Sequence, residues 1–304
     1  MNKQKMLAIA KALDTFLYRI GKKKPPDWEK LHQIADNAEP QVRDAFLKAV
    51  AKLQGHIAIK QVEEMLAKGD IEGAIKALDW SVFDEKLGTI ELSLASIAAK
   101  TGLIAVGSMP ASISVKYSFD LVNELAVEWA SKYVGELITQ ITEESRSAVR
   151  AIITDAMENG GHPYKTARMI RQHIGLTESD AKAVINYTRK LMQDFDLSEE
   201  QINSRVATYS KKKLRDRAEN ISRTETINAA SSGQRNVWEN AKSDGMLSGF
   251  ERKWIITPDD RLCPECAKMK NKRAPIGGTY DNGVKGPTLH PRCRCAERLV
   301  EIGR

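Results

Sequence analysis

The residues of this chain best suited to chemistry lie close to its end. All four cysteines, Cys263, Cys266, Cys293 and Cys295, fall in the stretches LCPECAKMK and LHPRCRC, with His290, one of five histidines, beside them. A C-x2-C turn can aim both of its sulfurs at one centre, and His290, Cys293 and Cys295 supply a second group of donors. Tetrahedral zinc takes four such ligands from two close pairs joined by a loop. Five candidates compete for four places: the four cysteines, or His290 in place of Cys293 or Cys295. The C-x-C spacing in CRC is unusual for a zinc ribbon, which leaves the ligand set open.

Other chemistries make stricter demands. Free structural thiols need only burial, whereas a disulfide pairing needs an oxidising compartment. Redox catalysis by C-x-x-C needs a thioredoxin-type βαβ setting that the flanks do not suggest. A catalytic zinc needs an open coordination position and a base. Glu265, Asp259 and Asp260 are at hand, but acids are expected on any charged loop. The zinc deaminase pattern needs H-x-E upstream of its cysteines, and that element is missing. The other histidines, His32, His56, His162 and His173, stand far upstream without partnered cysteines. Structural zinc is the expected cofactor and no enzymatic activity is expected.

A second candidate is electrostatic. Residues 201–304 carry 21 Lys and Arg against 12 Asp and Glu, while the chain as a whole has a net charge of +7. The strongest basic run is KKKLRDR, residues 211–217, where Lys211, Lys212 and Arg215 are placed to follow a phosphate backbone. No aromatic side chain interleaves with that run, which gives base stacking no support. IGLTESDAKAVINY has the outline of a helix-turn-helix, but its second helix has too few base-reading side chains. Contact with DNA is therefore expected to be sequence-independent.

The elements that must position these residues are mostly helices. Hydrophobic residues at 42% and charged ones at 29% describe a chain that buries a core. The first twenty residues have lysines among apolar positions at helical spacing, which predicts an amphipathic helix rather than a leader. Pro25 and Pro26 break it, and Asp27 opens the next helix. Helical patterns follow in DWEKLHQIADNA, EPQVRDAFLKAVAKLQ and KQVEEMLAKG. The most apolar stretch, from about residue 87, contains Glu91 and Lys100, so small-residue helix and loop are expected there, and no membrane partner. Gly88, Gly102, Gly107 and Pro110 mark the first boundary.

From Phe119 a helical stripe returns, with Thr142 a candidate cap for a following helix. Thr177 and the Ser198–Gln201 pair have capping spacing. A long helical run from about Glu199 to Lys242 contains Ser231 and Gly233 as candidate interruptions. FERKWIITP and ERLVEI read as strands. The fold class is mainly α, with multi-helix N-terminal and central regions and a small C-terminal α+β zinc-knuckle-like module. The expected divisions are 1–118, 119–250 and 251–304. The last segment has little apolar material, and a bound metal would supply the missing constraint.

Three stretches carry a resemblance. RAENISRTETINAASSGQRNVWENA, KWIITPDDRLCPECAKMKN and GPTLHPRCRC resemble the phage Mu F-like minor head proteins, also called the phage head morphogenesis family. The helical motif is matched by Arg217, Ala218, Glu219, Ile221, Arg223, Thr224, Glu225 and Thr226. Trp254, Asp259, Cys263 and Cys266 match the strand and loop, and His290, Pro291, Cys293, Arg294 and Cys295 the terminal motif. The similarity extends over roughly residues 119–304. KNKRAPIGG departs from the family's usual loop after the second cysteine.

The resemblance implies a minor head protein that associates with the portal and other capsid proteins and affects DNA packaging or ejection. It also implies residence inside the virion head, with host cytoplasm as the site during assembly. Some relatives carry a toxin or enzyme domain after this module, and none is expected after Cys295 here. Phage DNA is a further expected partner. The alternative is a zinc-stabilised, nucleic-acid-binding regulatory protein. Within the helical motif, the expected role of the polar side chains is a buried network fastening the cysteine module to its helix.

Overall fold

The computed structural model describes residues 27–193, 196–257 and 260–303. The helix expected over the first twenty residues and the motif residue Asp259 lie outside the described residues. The described helices are α1 (Asp27–His56), α2 (Ile59–Ala67), α3 (Ile71–Lys76), α4 (Trp80–Leu87), α5 (Ile90–Gly107) and α6 (Ala111–Ser114). They continue with α7 (Phe119–Glu158), α8 (Pro163–His173), α9 (Glu178–Met192) and α10 (Glu199–Ser243). The end of the chain adds β1 (Phe250–Ile255), α11 (Pro264–Lys268), β2 (Arg273–Pro275) and β3 (Ala296–Glu301). The chain is mainly α with a small α+β terminus.

Packing divides it into two units. One takes the described part of Met1–Val42, with Ile90–Val134 and Asn220–Arg304; the other takes Arg43–Thr89 and Gly135–Glu219. Both are discontinuous. The three segments read from sequence run consecutively along the chain, whereas each unit gathers pieces from distant parts of it.

In the first unit, Ala105, Met109, Val122, Val237, Trp238, Ala241, Leu247 and Ile276 form one buried cluster, and Leu299 packs on it. The residues after 250 therefore share a core with α5, α7 and α10. Glycine permits the tightest crossing. A Cβ on Gly233 would collide with the Ala98 carbonyl oxygen, and one on Gly102 would lie 2.8 Å from Val122. The sequence presents these glycines as breakers, yet α5 and α10 run unbroken through them. Their packing role offsets the roughly 1 kcal/mol that glycine costs inside a helix. β2, β1 and β3 form an antiparallel sheet in that order, with Trp254 opposite Glu297 and Lys253 opposite Arg273.

The elements of the second unit among the described residues are all helices. Phe46, Phe83 and Trp80 meet edge to face, and α2 packs against α3 and α8. Arg217 is buried here. It donates to Ser145 Oγ, Glu144 Oε2 and the Gly175 and Ile141 carbonyls, and its guanidinium lies 5.4 Å from the Phe46 ring centre. Gly175 has φ +89°, and a Cβ there would meet Val50 at 2.6 Å, so glycine is required twice over.

Two expected caps are present. Thr177 Oγ1 accepts from the Asp180 N–H, and Ser198 and Gln201 satisfy each other's backbone N–H groups. Thr142 is not a cap. It lies inside the unbroken α7 and donates to Asp84 Oδ1 at 2.6 Å. Pro40 likewise lies within α1, which joins two helical patterns that the sequence presents separately.

Trp80–Gly107 is the one stretch among the described residues that is long and apolar enough to cross a membrane, by length and composition. Trp80, Phe83, Leu87, Leu94, Ile97 and Ile104 from it are buried in the protein. Burial inside a fold accounts for such apolarity.

Candidate metal centre

The cysteine cluster is assembled by short elements that cannot wander. Pro264 starts α11, and Cys263 caps it, its sulfur accepting from the Cys266 N–H at 3.2 Å. The C-x2-C spacing therefore puts both sulfurs at one helix start. On the other side Cys293, Cys295 and His290 sit at the entrance to β3. His290 Nε2 lies 3.1 Å from the sulfurs of both Cys263 and Cys266, and Cys266 Sγ lies 3.7 Å from Cys293 Sγ.

The donors form two overlapping triads, Cys263–Cys266–His290 and Cys266–Cys293–Cys295, each with its ligand atoms within 4.8 Å of one another. Cys266 is common to both. All four cysteines are free thiols, and Cys266, Cys293 and Cys295 are buried. A zinc–sulfur bond of about 2.3 Å in a tetrahedron sets sulfurs about 3.8 Å apart, close to the Cys266–Cys293 separation.

A void of about 20 Å³ is lined by Cys263, Cys266, His290 and Cys295, room for little more than one ion or water. His290 Nδ1 bonds the Pro291 carbonyl at 2.8 Å. That bond requires the proton on Nδ1; in the neutral ring this turns the Nε2 lone pair toward the sulfurs, the usual support for a metal-bound histidine.

The thiols divide their protons. A hydrogen bond from Cys295 pulls the Cys293 thiol down to about 5, while the same bond and burial push Cys295 up. Burial also raises Cys266 to about 12. Hydrogen bonding to the Cys266 backbone lowers Cys263. A metal ion would take the place of the shared protons, since it binds thiolate. The five donors fit a metal. Arg261, Arg292 and Arg294 line the same void and would offset the negative charge of thiolates gathered on a metal.

The helical motif is the seat of this loop. Thr224 Oγ1 accepts from the Arg292 N–H, and Asn220 accepts from its guanidinium. Asn228 Oδ1 accepts from Thr288, side chain at 2.6 Å and backbone at 3.4 Å. Glu225 is buried, held by Tyr133 OH at 2.5 Å and by Asn228, and burial raises its pKa. Arg223 pairs with Glu39 on α1. Within the motif only Thr224 and Asn220 reach the terminal loop, with Asn228 just beyond it, and the bonds to Arg292 are exposed. Arg217 and Glu225 bond instead to residues of α7 and Arg223 to Glu39 on α1, so the expected buried network between motif and module is met only in part.

Sequence reasoning missed a second support. Arg252 is fully buried and donates to the carbonyls of Pro275, Gly278 and Lys285 and to Glu297 Oε1. Glu297 also accepts from Tyr280 OH at 2.9 Å and from Arg235, whose guanidinium reaches the Pro287 carbonyl. A signal was present: strands alternate faces, so an inward Trp254 implies an inward Arg252, and a buried charge demands a partner.

His32 is a further member of this neighbourhood. It reaches the Arg294 backbone near Cys293, and burial lowers its pKa, with Asp36 acting the other way. Along the chain it stands far upstream of the cysteines, and the fold corrects the separation that this distance suggests.

The expected DNA-contacting residues lie in the second unit. Lys211, Lys212 and Arg215 are exposed on α10, and Lys213 pairs with Asp180 at 3.0 Å. Tyr209, half a turn before the run, stacks at a tilt on Tyr187 and carries the Lys213 ammonium 5.7 Å from its ring centre.

The family model described as Phage Mu protein F like protein matches residues 147–298. That span takes in the helical motif and all five metal-ligand candidates. No curated protein and no solved structure matches the chain.

Proposed function

The chain belongs to the Phage Mu protein F like family, and from that premise we propose that it is a non-enzymatic minor head protein acting in phage head morphogenesis. It associates with the portal and other capsid proteins, resides inside the virion head after assembly in the host cytoplasm, and affects DNA packaging or ejection. The observation that carries this reading is the family match across both the helical motif and the cysteine–histidine cluster. The metal is structural zinc, held by four of Cys263, Cys266, His290, Cys293 and Cys295. When bound it cross-links α11 to the entrance of β3, and a site closed by four protein ligands has no place for a reactive water.

Particles purified from producing cells test the assembly role: the protein should co-purify with portal and capsid through a density gradient. Recovery only in the soluble fraction would count against it. Lys211, Lys212 and Arg215 give weak, sequence-independent DNA contact, so replacing all three by Ala should lower both affinity and its salt dependence. Each phosphate that the variant no longer neutralises should reduce the slope of log K against log salt for duplex DNA by about 0.9. Strong preference for one sequence would favour a regulatory role instead.

A further inference from the structure

The geometry points to a second nucleic-acid site, in the groove between α2 and α8, that takes a single strand by stacking one base on Tyr164 while Lys60, Arg168 and Arg171 hold the flanking phosphates. The groove encloses about 590 Å³ and is lined by Ile59, Lys60 and Glu63 from α2 and by Tyr164, Arg168 and Arg171 from α8. Its origin is the pattern of PYKTARMIRQH. Thr166, Ala167, Ile170 and His173 form the buried face of α8. Tyr164, Arg168 and Arg171, spaced i, i+4 and i+7, form a second stripe. The ring is 42% exposed, and the Arg168 guanidinium lies 5.7 Å from its centre, which braces one side and fixes the ring's position.

Three cations face a single acid in this groove. None of Lys60, Arg168 and Arg171 forms an ion pair among the described residues, so their charge is available to a ligand. An apolar helix would find only Ile59 and one ring to cover. An acidic peptide would satisfy the cations and leave the ring unused. A single strand uses both, because an unstacked base adds about 1–3 kcal/mol on an aromatic platform. Duplex DNA keeps its bases stacked on one another and offers the groove phosphates alone. The site deepens the DNA contact proposed above but uses none of the α10 residues, and its failure would leave the head-protein reading to the particle experiment.

The test is fluorescence anisotropy of the full chain with a labelled ten-nucleotide oligo(dT) and, separately, a ten-base-pair duplex. Tyr164→Leu should weaken oligo(dT) binding about 5-fold or more and leave the duplex unaffected, while Tyr164→Phe keeps both. Arg168→Gln with Arg171→Gln should reduce the salt slope for oligo(dT) by roughly 1.4, at about 0.7 per phosphate. Far-ultraviolet circular dichroism confirms that each variant is folded. The Lys211, Lys212 and Arg215 triple variant should retain the Tyr164-dependent oligo(dT) binding. The proposal fails if oligo(dT) does not bind, if Tyr164→Leu leaves its affinity unchanged, or if that variant weakens the duplex equally. It also fails if poly-glutamate of matched charge competes as well as oligo(dT).

Discussion

The two units solve the problem of burial differently. In the unit that contains Gly135–Glu219, one buried cation, Arg217, lies over Phe46 among many buried apolar side chains and is satisfied chiefly by carbonyls and Glu144. In the unit that contains Asn220–Arg304, the terminal residues bury a connected set of charges and hydroxyls: Arg252, Glu297, Arg235 and Tyr280. Beside it stand five metal-binding donors, four of which line a void the size of an ion. The first kind of core tolerates local loss because apolar burial is spread over many side chains. The second concentrates its stability in a few groups, each expensive to leave without its partners.

The largest effect expected to separate the units comes from Cys266, the donor common to both triads. Cys266→Ser should abolish metal binding, of which about one equivalent per chain is expected in the parent. Structural zinc contributes binding free energy on the order of 10 kcal/mol in small metallopeptides. Hydrogen exchange should then accelerate across β1, β2 and β3 and leave α8 and α9 protected. Metal content unchanged by the substitution, or faster exchange in α9 as great as in β1, would erase the proposed contrast.

Glu297→Ala comes next. It strands Arg252 and exposes the Tyr280 and Arg235 donors to an empty site, and breaking a buried pair in this way costs about 3–5 kcal/mol. Denaturant unfolding measures it. Replacing Arg252 and Glu297 together by Met and Leu should be much milder, because no uncompensated charge remains. A double variant as unstable as the single one would show that the packing of the aliphatic stems, not the charge network, holds the loop.

His173 tests the helical unit by pH. Burial lowers its pKa from 6.5 to about 4, with Ser210 Oγ 2.8 Å from Nδ1 as its partner. The unfolded chain therefore binds a proton between those values that the native chain refuses. Stability from this residue is complete above 6.5 and falls as pH drops toward 4. The full loss is on the order of 3 kcal/mol. His173→Gln should flatten that part of the pH–stability curve. An unchanged slope would assign the acid sensitivity elsewhere.

How much of this was legible depended on how local the cause was. The C-x2-C turn, the two caps and strands β1 and β3 rest on residues within a few positions of one another, and each reads directly from the chain. Gly102 and Gly233 mislead because a glycine that breaks a helix and one that admits a neighbouring helix look alike until the neighbour is known. His32 beside Arg294 and Arg223 with Glu39 unite residues far apart in the sequence, and no periodicity encodes such a meeting. The same limit explains the missed strand β2, only three residues long and defined by its pairing with β1.

The smallest expected effect is also the most local, at Ser198. Its hydroxyl accepts from the Gln201 N–H at 3.3 Å, and Gln201 Oε1 accepts from the Ser198 N–H at 2.9 Å. Both bonds satisfy donors at the start of α10 that have no partner inside the helix. Ser198→Ala removes one bond directly and weakens the reciprocal one only through loss of fixation, so the cost should be about 1 kcal/mol. Ser198→Asp, which keeps an acceptor and places negative charge at a helix start, should restore or exceed the parent stability. Because the cap belongs to α10 before residue 220, the change should appear as faster exchange in the first turn of α10, with metal content unaltered. A loss above about 2 kcal/mol would mean that this short, exposed cap supports more of the helical unit than its hydrogen bonds account for.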